Sequence, residues 1–151
     1  ATFEALDSMR GLTNRSSGKM GVEIAKEAYR QGANVTVVCG LMHSHVPELF
    51  ERVDVESTKD MMDVVTKRID DMDIYVSVAA ISDFSFDNVF NGKISSDEDL
   101  TVNLKRLPKL LEQVKKVNPK IVLIGVGKDN KFGHPNDEVL ERIQKYRDKS
   151  I

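Results

Sequence analysis

Residues 13–21 of the 151-residue chain read TNRSSGKMG. An amide, two adjacent serines, an arginine and a lysine crowd around Gly18, just ahead of an amphipathic run, VEIAKEAYRQGANVTVV. Such a stretch suits an anion. Backbone N–H groups of residues 16–18, the positive end of a following helix and the charges of Arg15 and Lys19 would converge on a phosphate. Two other readings use the same residues. Ser16 or Ser17 would cap the helix while Gly18 relieves a tight backbone. Gly18 and Gly21 also imitate part of the dinucleotide fingerprint GxGxxG, with a nicotinamide-dependent oxidoreductase as its consequence. No acidic residue closes the apolar run ending at Cys39-Gly40, however, where a ribose would want one, and no Tyr precedes a Lys by four positions. A Walker A loop is excluded. It needs an earlier glycine and a hydroxyl after the lysine, and here Met20 follows Lys19.

Other reactive side chains point to little. His43 and His45 form a His-x-His pair, but no third ligand stands at metal spacing, His134 included, so a loop beside Pro47 is the expectation and no metal ligands are assigned. Cys39 ends an apolar run and reads as a small buried hydrophobe. As the only cysteine it allows no intrachain disulfide, and a reducing cytoplasm is the expected location. A net charge of −2 supplies no field for nucleic acid or an anionic membrane, so neither is expected as a partner, and local groups must hold any anionic ligand. No run approaches the ~20 apolar residues of a membrane span, and no signal peptide is visible.

The elements that must position the loop alternate in type. Met20, Ile24, Ala25 and Ala28 recur at helical spacing, and Gly32 supplies a stop. Residues 34–39 (NVTVVC) form a β-branched run expected as a strand buried on both faces, and residues 52–55 (RVDV) alternate like a second strand. Ser57 caps STKDMMDVVTKRI, with Asp60 as the acid of a capping box. Residues 73–79 (DIYVSVA) and 120–126 (KIVLIGV) read as further strands. Pro108 opens a helix, PKLLEQVKKV, that stops before Asn118-Pro119, and Asn136 would cap a closing helix. Strand and helix in alternation predict a three-layer, Rossmann-like α/β fold, its mostly parallel sheet covered on both faces. Ligands in such sheets sit at the carboxyl ends of strands, which singles out loops 12–19, 39–47, 79–93 and 126–135. The segment ATFEALDSMRGL contains no recognisable strand, although a nucleotide-binding unit would have one before its phosphate loop.

Five segments stand in order: LDSMRGLTNRSSGKMG, GANVTVVCG, RVDVESTKDM, AAISDF and GKISS. In order and spacing, over about residues 2–126, they resemble the phosphopantothenate–cysteine ligase family, the synthetase domain of coenzyme A biosynthesis in its prokaryotic form. The resemblance implies a single nucleotide-binding ligase domain over 1–151. Its members condense 4′-phosphopantothenate with cysteine after activating the carboxylate with CTP, or with ATP in eukaryotic members, and Mg²⁺. The intermediate is an acyl-nucleotidylate. Joining two anions calls for positioning and positive charge rather than a protein nucleophile.

Carried over residue by residue, the resemblance makes Asn14 the amide that holds the acyl-nucleotidylate, and Lys93 the lysine that neutralises the triphosphate or the activated carboxylate. Arg15, Ser16, Ser17, Gly18 and Lys19 would receive phosphate oxygens. Ser77, Val78, Ala79 and Ala80 fall where the family reads the pyrimidine, the alanines small enough for a base to lie against backbone. Asp83 matches an acid near the nucleotide and its Mg²⁺. Pro108, Lys109, Leu110 and Leu111 occupy the place of an NPDI-like segment, and Val126 stands where a Phe is usual. The family also implies a homodimer, and a flavin-dependent decarboxylase domain on another chain or removed. The match departs after Gly125, where GVGKDNK runs directly into FGHPNDEV and a lid's length of family sequence is missing. The expectation is therefore a ligase domain without its first strand and lid, with a non-catalytic nucleotide-binding module as the alternative.

Overall fold

Val37 and Val38, β-branched and adjacent, stiffen the backbone toward the extended state, and the run around them does become a strand. In the computed structural model, which describes residues 1–97 and 99–125, β3 (Thr36–Cys39) pairs in parallel with β4 (Glu51–Asp54). The register sets Val38 opposite Val53 and Cys39 opposite Asp54. Only Cys39 of β3 is fully buried. The strand expected to be sealed on both faces is half-covered, since its ladder is two strands wide. The crossover from β3 to β4 contains no helix, and it is anchored by the buried side chains of Val46 and Phe50. These join Val22 and Ala25, from the apolar stripe of α1 (Lys19–Arg30), and Cys39 in one cluster. Tyr29 meets Phe50 edge-on, ring centroids 5.7 Å apart.

The segment expected to hold no strand folds as a hairpin. Strands β1 (Phe3–Ala5) and β2 (Gly11–Thr13) pair antiparallel, with Phe3 opposite Thr13 and Ala5 opposite Gly11. A strand does therefore lead into the loop at residue 14. Three residues are too few for an alternating pattern to show, and the buried positions of the hairpin include the charged Glu4 and Asp7, which no apolar pattern marks. A Cβ on Gly11 would lie 2.4 Å from the Glu4 carbonyl oxygen, so the close pairing requires glycine there.

Helix α2 (Thr58–Arg68) starts as the sequence predicts. Ser57 N–H donates to Asp60 Oδ2 at 3.0 Å, and Asp60 N–H donates to Ser57 Oγ at 3.1 Å, a reciprocal capping box. A second carboxylate serves the same helix end: Thr58 N–H donates to Glu4 Oε1 at 2.8 Å. Buried hydroxyls continue inward. Thr2 Oγ1 and Thr58 Oγ1 lie 3.1 Å apart, and Ser82 N–H donates to Thr2 Oγ1 at 2.9 Å. Polar groups this deep are tolerated because each has a partner. Their effect is to lock β1, the start of α2 and the segment around residues 80–82 together. A further antiparallel pair, β6 (Phe84–Phe86) with β7 (Leu104–Arg106), was not foreseen.

The chain divides into two units, one of residues 1–64 and 79–109, the other of residues 65–78 with residues from 110 onward. In the second unit β5 (Ile74–Ser77) pairs in parallel with β8 (Val122–Gly125), Tyr75 opposite Leu123. Helix α3 (Leu110–Val117) buries Leu110 and Val114, and Asn118 closes it. That asparagine donates from Nδ2 to the carbonyls of Ile69 (2.9 Å) and Met72 (3.3 Å) and accepts Lys120 N–H on Oδ1 (3.2 Å). Parallel ladders, helical connections and amphipathic helices make this an α/β fold, the class expected. Both strands at 74–77 and 122–125 are shorter than predicted, and the closing helix at 136 lies outside the described residues.

Candidate functional site

β2 ends at Thr13, α1 begins at Lys19, and the five residues between them form the candidate loop. Gly18 makes the join. Its φ of +78° is left-handed, and a Cβ there would also sit 2.7 Å from Met42 Cε. With glycine at this position no side chain covers the helix end from the N-cap, and the first turn carries no acidic residue. Only Ser17 Oγ reaches in, accepting Lys19 N–H at 3.3 Å. The remaining first-turn donors and the helix dipole are thus available to an anion. Glu23, one turn on, is paired with Lys26 at 2.8 Å, which together with Lys19 holds its carboxyl below the ordinary value.

The loop is held from both sides. Ser17 carbonyl accepts the backbone N–H groups of His43 (3.3 Å) and Ser44 (3.1 Å), fixing it to the β3–β4 connection. Asn14 Nδ2 donates to Ala80 O at 3.2 Å, fixing it to the segment after residue 79. One amide proton of Asn14 is used in this way, which leaves the other and the oxygen for a ligand. A cleft of about 360 Å³ results, lined by residues 13–17 with Leu41 and His43. Among the described residues no carboxylate lines it, whereas Arg15 does, exposed and without an ion pair. Hydroxyls, an amide, an imidazole and a guanidinium are groups able to bond phosphate oxygens.

The other assigned residues are distributed unevenly. Ala79 and Ala80 adjoin Asn14 through that amide bond. Asp83 is exposed and ion-paired with Lys109, while its carbonyl accepts Leu107 N–H at 2.9 Å. Two groups assigned to the nucleotide thus hold each other. Pro108 lies beside that pair in sequence, with its side chain exposed. Lys93 is exposed too, but it stands near the turn of the β1–β2 hairpin, whereas Asn14 follows the hairpin's open end. A three-residue strand, roughly 10 Å, therefore separates the two positions assigned as catalytic. Ser77, Val78, Leu110 and Leu111 belong to the second unit. Ser77 hydrogen-bonds the Tyr75 hydroxyl, whose pKa burial pushes up to about 12. Val126 lies outside the described residues, as does the segment after it where the family's lid would stand.

Residues 1–145 match the model of the DNA/pantothenate metabolism flavoprotein C-terminal domain. The chain belongs to this family. It is 35% identical to the coenzyme A biosynthesis bifunctional protein CoaBC of Thermococcus kodakarensis, over 96% of the chain and 36% of that protein. The CoaBC of Methanocaldococcus jannaschii gives the same identity and coverage. That of Escherichia coli K12 is 35% identical over 75% of the chain and 29% of its own length. The chain thus spans about a third or less of these curated relatives. Among solved structures, the DNA/pantothenate metabolism flavoprotein from Streptococcus pneumoniae superposes with a TM-score of 0.73 at 26% identity, covering 97% of this chain and 75% of that one. A crystal structure of the C-terminal domain of CoaBC gives 0.73 at 28%, covering 97% and 68%.

Within this family's domain, three features of the site escaped the sequence. Leu41 and His43 line the cleft although the histidine reads as an ordinary loop residue, and only the contact with Ser17 reveals its place. Asp7 carries no signal in the sequence, yet its side chain is wholly enclosed. No helix of the described residues is long and apolar enough to cross a membrane.

Proposed function

We propose that this domain is the phosphopantothenate–cysteine ligase of coenzyme A biosynthesis, using CTP, with ATP as the alternative nucleotide. The observation that carries the reading is the bond from Asn14 Nδ2 to Ala80 O, which brings together two signature segments 66 positions apart beside a cleft lined by Arg15 and the two serines. Membership of the family and the CoaBC names of the relatives support it.

In this reading the α1 end, Ser16, Ser17 and Lys19 hold the triphosphate, and Arg15 offsets its charge. The 4′-phosphopantothenate carboxylate attacks the α-phosphorus and pyrophosphate leaves. The cysteine amine then attacks the acyl carbon, loses a proton and expels CMP. Asn14 contributes a neutral donor at the acyl-phosphate, adding no repulsion of its own. Ala79 and Ala80 leave room for the base. Mg²⁺ usually binds through substrate phosphates and one or two carboxylates. Asp83 is the carboxylate this set offers, exposed and able to serve once Lys109 turns from it to the triphosphate. The metal would supply charge neutralisation along the phosphates. A homodimer, with the second subunit completing the substrate site, and a decarboxylase domain elsewhere belong to the same reading, as does a cytoplasmic location.

Calorimetric titration with CTP, ATP, NAD and NADP in Mg²⁺ tests it. Saturable binding of CTP, with ATP weaker and neither dinucleotide bound, is expected. Preference for NAD or NADP would overturn the reading in favour of an oxidoreductase.

A further inference from the structure

The β1–β2 hairpin carries a charged group for which the ligase reading has no use. Asp7 is fully enclosed, its side chain 0% exposed, yet it stays ionised: the Arg10 guanidinium and three backbone N–H groups hold its carboxyl well below the usual range. Its two oxygens do separate work. Oδ1 accepts the backbone N–H groups of Met9 and Arg10, each at 2.8 Å, and so closes the hairpin turn. Oδ2 accepts Arg10 Nε (3.0 Å) and Nη2 (2.6 Å) and, 87 positions along the chain, the backbone N–H of Ile94 (3.1 Å). Arg10 Nη2 also donates to the Ile94 carbonyl at 2.9 Å. Two backbone bonds extend the seam, from Phe90 N–H to Leu6 O (2.9 Å) and from Ser8 N–H to Gly92 O (3.5 Å). Closing a turn needs only the Oδ1 bonds. A buried carboxylate that also grips a distant loop is fixing the place of that loop, and the exposed side chain within the gripped stretch is Lys93.

We propose that Asp7 is the positioning residue for Lys93: Oδ2, together with Arg10, clamps residues 92–94 onto the hairpin whose second strand leads into Asn14. The inference rests on the ligase reading, in which Lys93 neutralises the triphosphate or the activated carboxylate. The hairpin then acts as a spacer. One end carries the amide at the acyl-phosphate, and the other sets where the ammonium enters. Lysine is a flexible point charge on a long stem, so its effect depends on how firmly its backbone is held.

Asp7→Asn separates the two jobs of the carboxylate. The remaining oxygen can stay on Met9 and Arg10, while an NH₂ group replaces Oδ2 and faces the donors of Ile94 and Arg10. The turn should survive and the clamp should not. In a ligase assay with CTP, 4′-phosphopantothenate and cysteine, Asp7→Asn is expected to lower kcat about tenfold to a hundredfold, with the KM for cysteine little changed. In a Lys93→Gln background the same substitution should cost less than about twofold, because the group it positions is already gone. Arg10→Lys keeps a cation beside Asp7 but loses the bond to Ile94 O, so it should give a smaller loss of the same kind and serves if Asp7→Asn does not fold. Losses that simply multiply in the double variant overturn the proposal. A wild-type chain without pyrophosphate release overturns the ligase reading instead. Amide exchange at Ile94 then decides the clamp: faster exchange in Asp7→Asn, with Met9 unchanged, upholds it, and unchanged protection at Ile94 refutes it.

Discussion

In the proposed reaction most of the chemistry converges on Asn14, and its setting suits an amide. Nδ2 is held by Ala80 O, beside hydroxyls and Arg15, in a cleft that no carboxylate of the described residues lines. Asn14→Asp would replace a donor by a charge that repels both the Ala80 carbonyl and any phosphate. In that proposal nucleotide docking would rely mainly on the loop N–H groups, Arg15 and Lys19, so CTP binding and pyrophosphate release should persist. Transfer to cysteine should fall by about a hundredfold or more, the size of losing an oxyanion-type donor. Quenched-flow measurement of both products checks this, and a wild-type rate of amide formation would remove Asn14 from the mechanism. The role proposed for Asn14 comes from a motif that is long and specific in sequence. That of Asp7 has no such mark, since one aspartate before a turn looks the same whether its second oxygen meets water or Ile94.

At the scale of elements, legibility followed the length and strength of the local signal. The start of α2 was readable because Ser57 and Asp60 meet through neighbouring backbone alone. Asp60 has its carboxyl held below the ordinary 3.8 by Ser57, through the backbone N–H first and the hydroxyl second. The folded state thus binds that proton less readily than the unfolded chain. Its contribution is complete above 3.8 and is lost as pH falls below it. Ser57→Ala should cost about 1 kcal/mol at neutral pH, and the cost should shrink as the solution is acidified through that range. Urea denaturation at several pH values measures it; a constant difference down to pH 2 would mean that the Ser57 hydroxyl contributes nothing through the charge of Asp60. The hairpins were hidden for a different reason. FEA, GLT, FSF and LKR are too short for an alternating pattern to stand out, and pairing across the chain decides them. The strand at 36–39 was clear, yet its burial was overestimated, because β-branched residues announce extension and say nothing of how many strands flank them.

For the whole molecule, the −2 net charge and the cationic loop fit the proposed ligase, in which a local cluster rather than a global field would hold the anionic substrate. The family match over residues 1–145 is consistent with a domain that works as one part of a longer pathway protein in its relatives, which this chain matches over about a third of their length. In the proposed reaction a nucleoside triphosphate is coupled to a carboxylate before any amine is involved. Omitting cysteine isolates that step. The chain is mixed with 4′-phosphopantothenate, CTP and Mg²⁺, quenched, and examined by mass spectrometry while pyrophosphate is followed. The expected result is pyrophosphate release that depends on 4′-phosphopantothenate, a mass corresponding to the acyl-cytidylate, and its disappearance with CMP release when cysteine is added. Pyrophosphate released equally without 4′-phosphopantothenate, or no acyl-cytidylate from a chain that binds CTP, would contradict it.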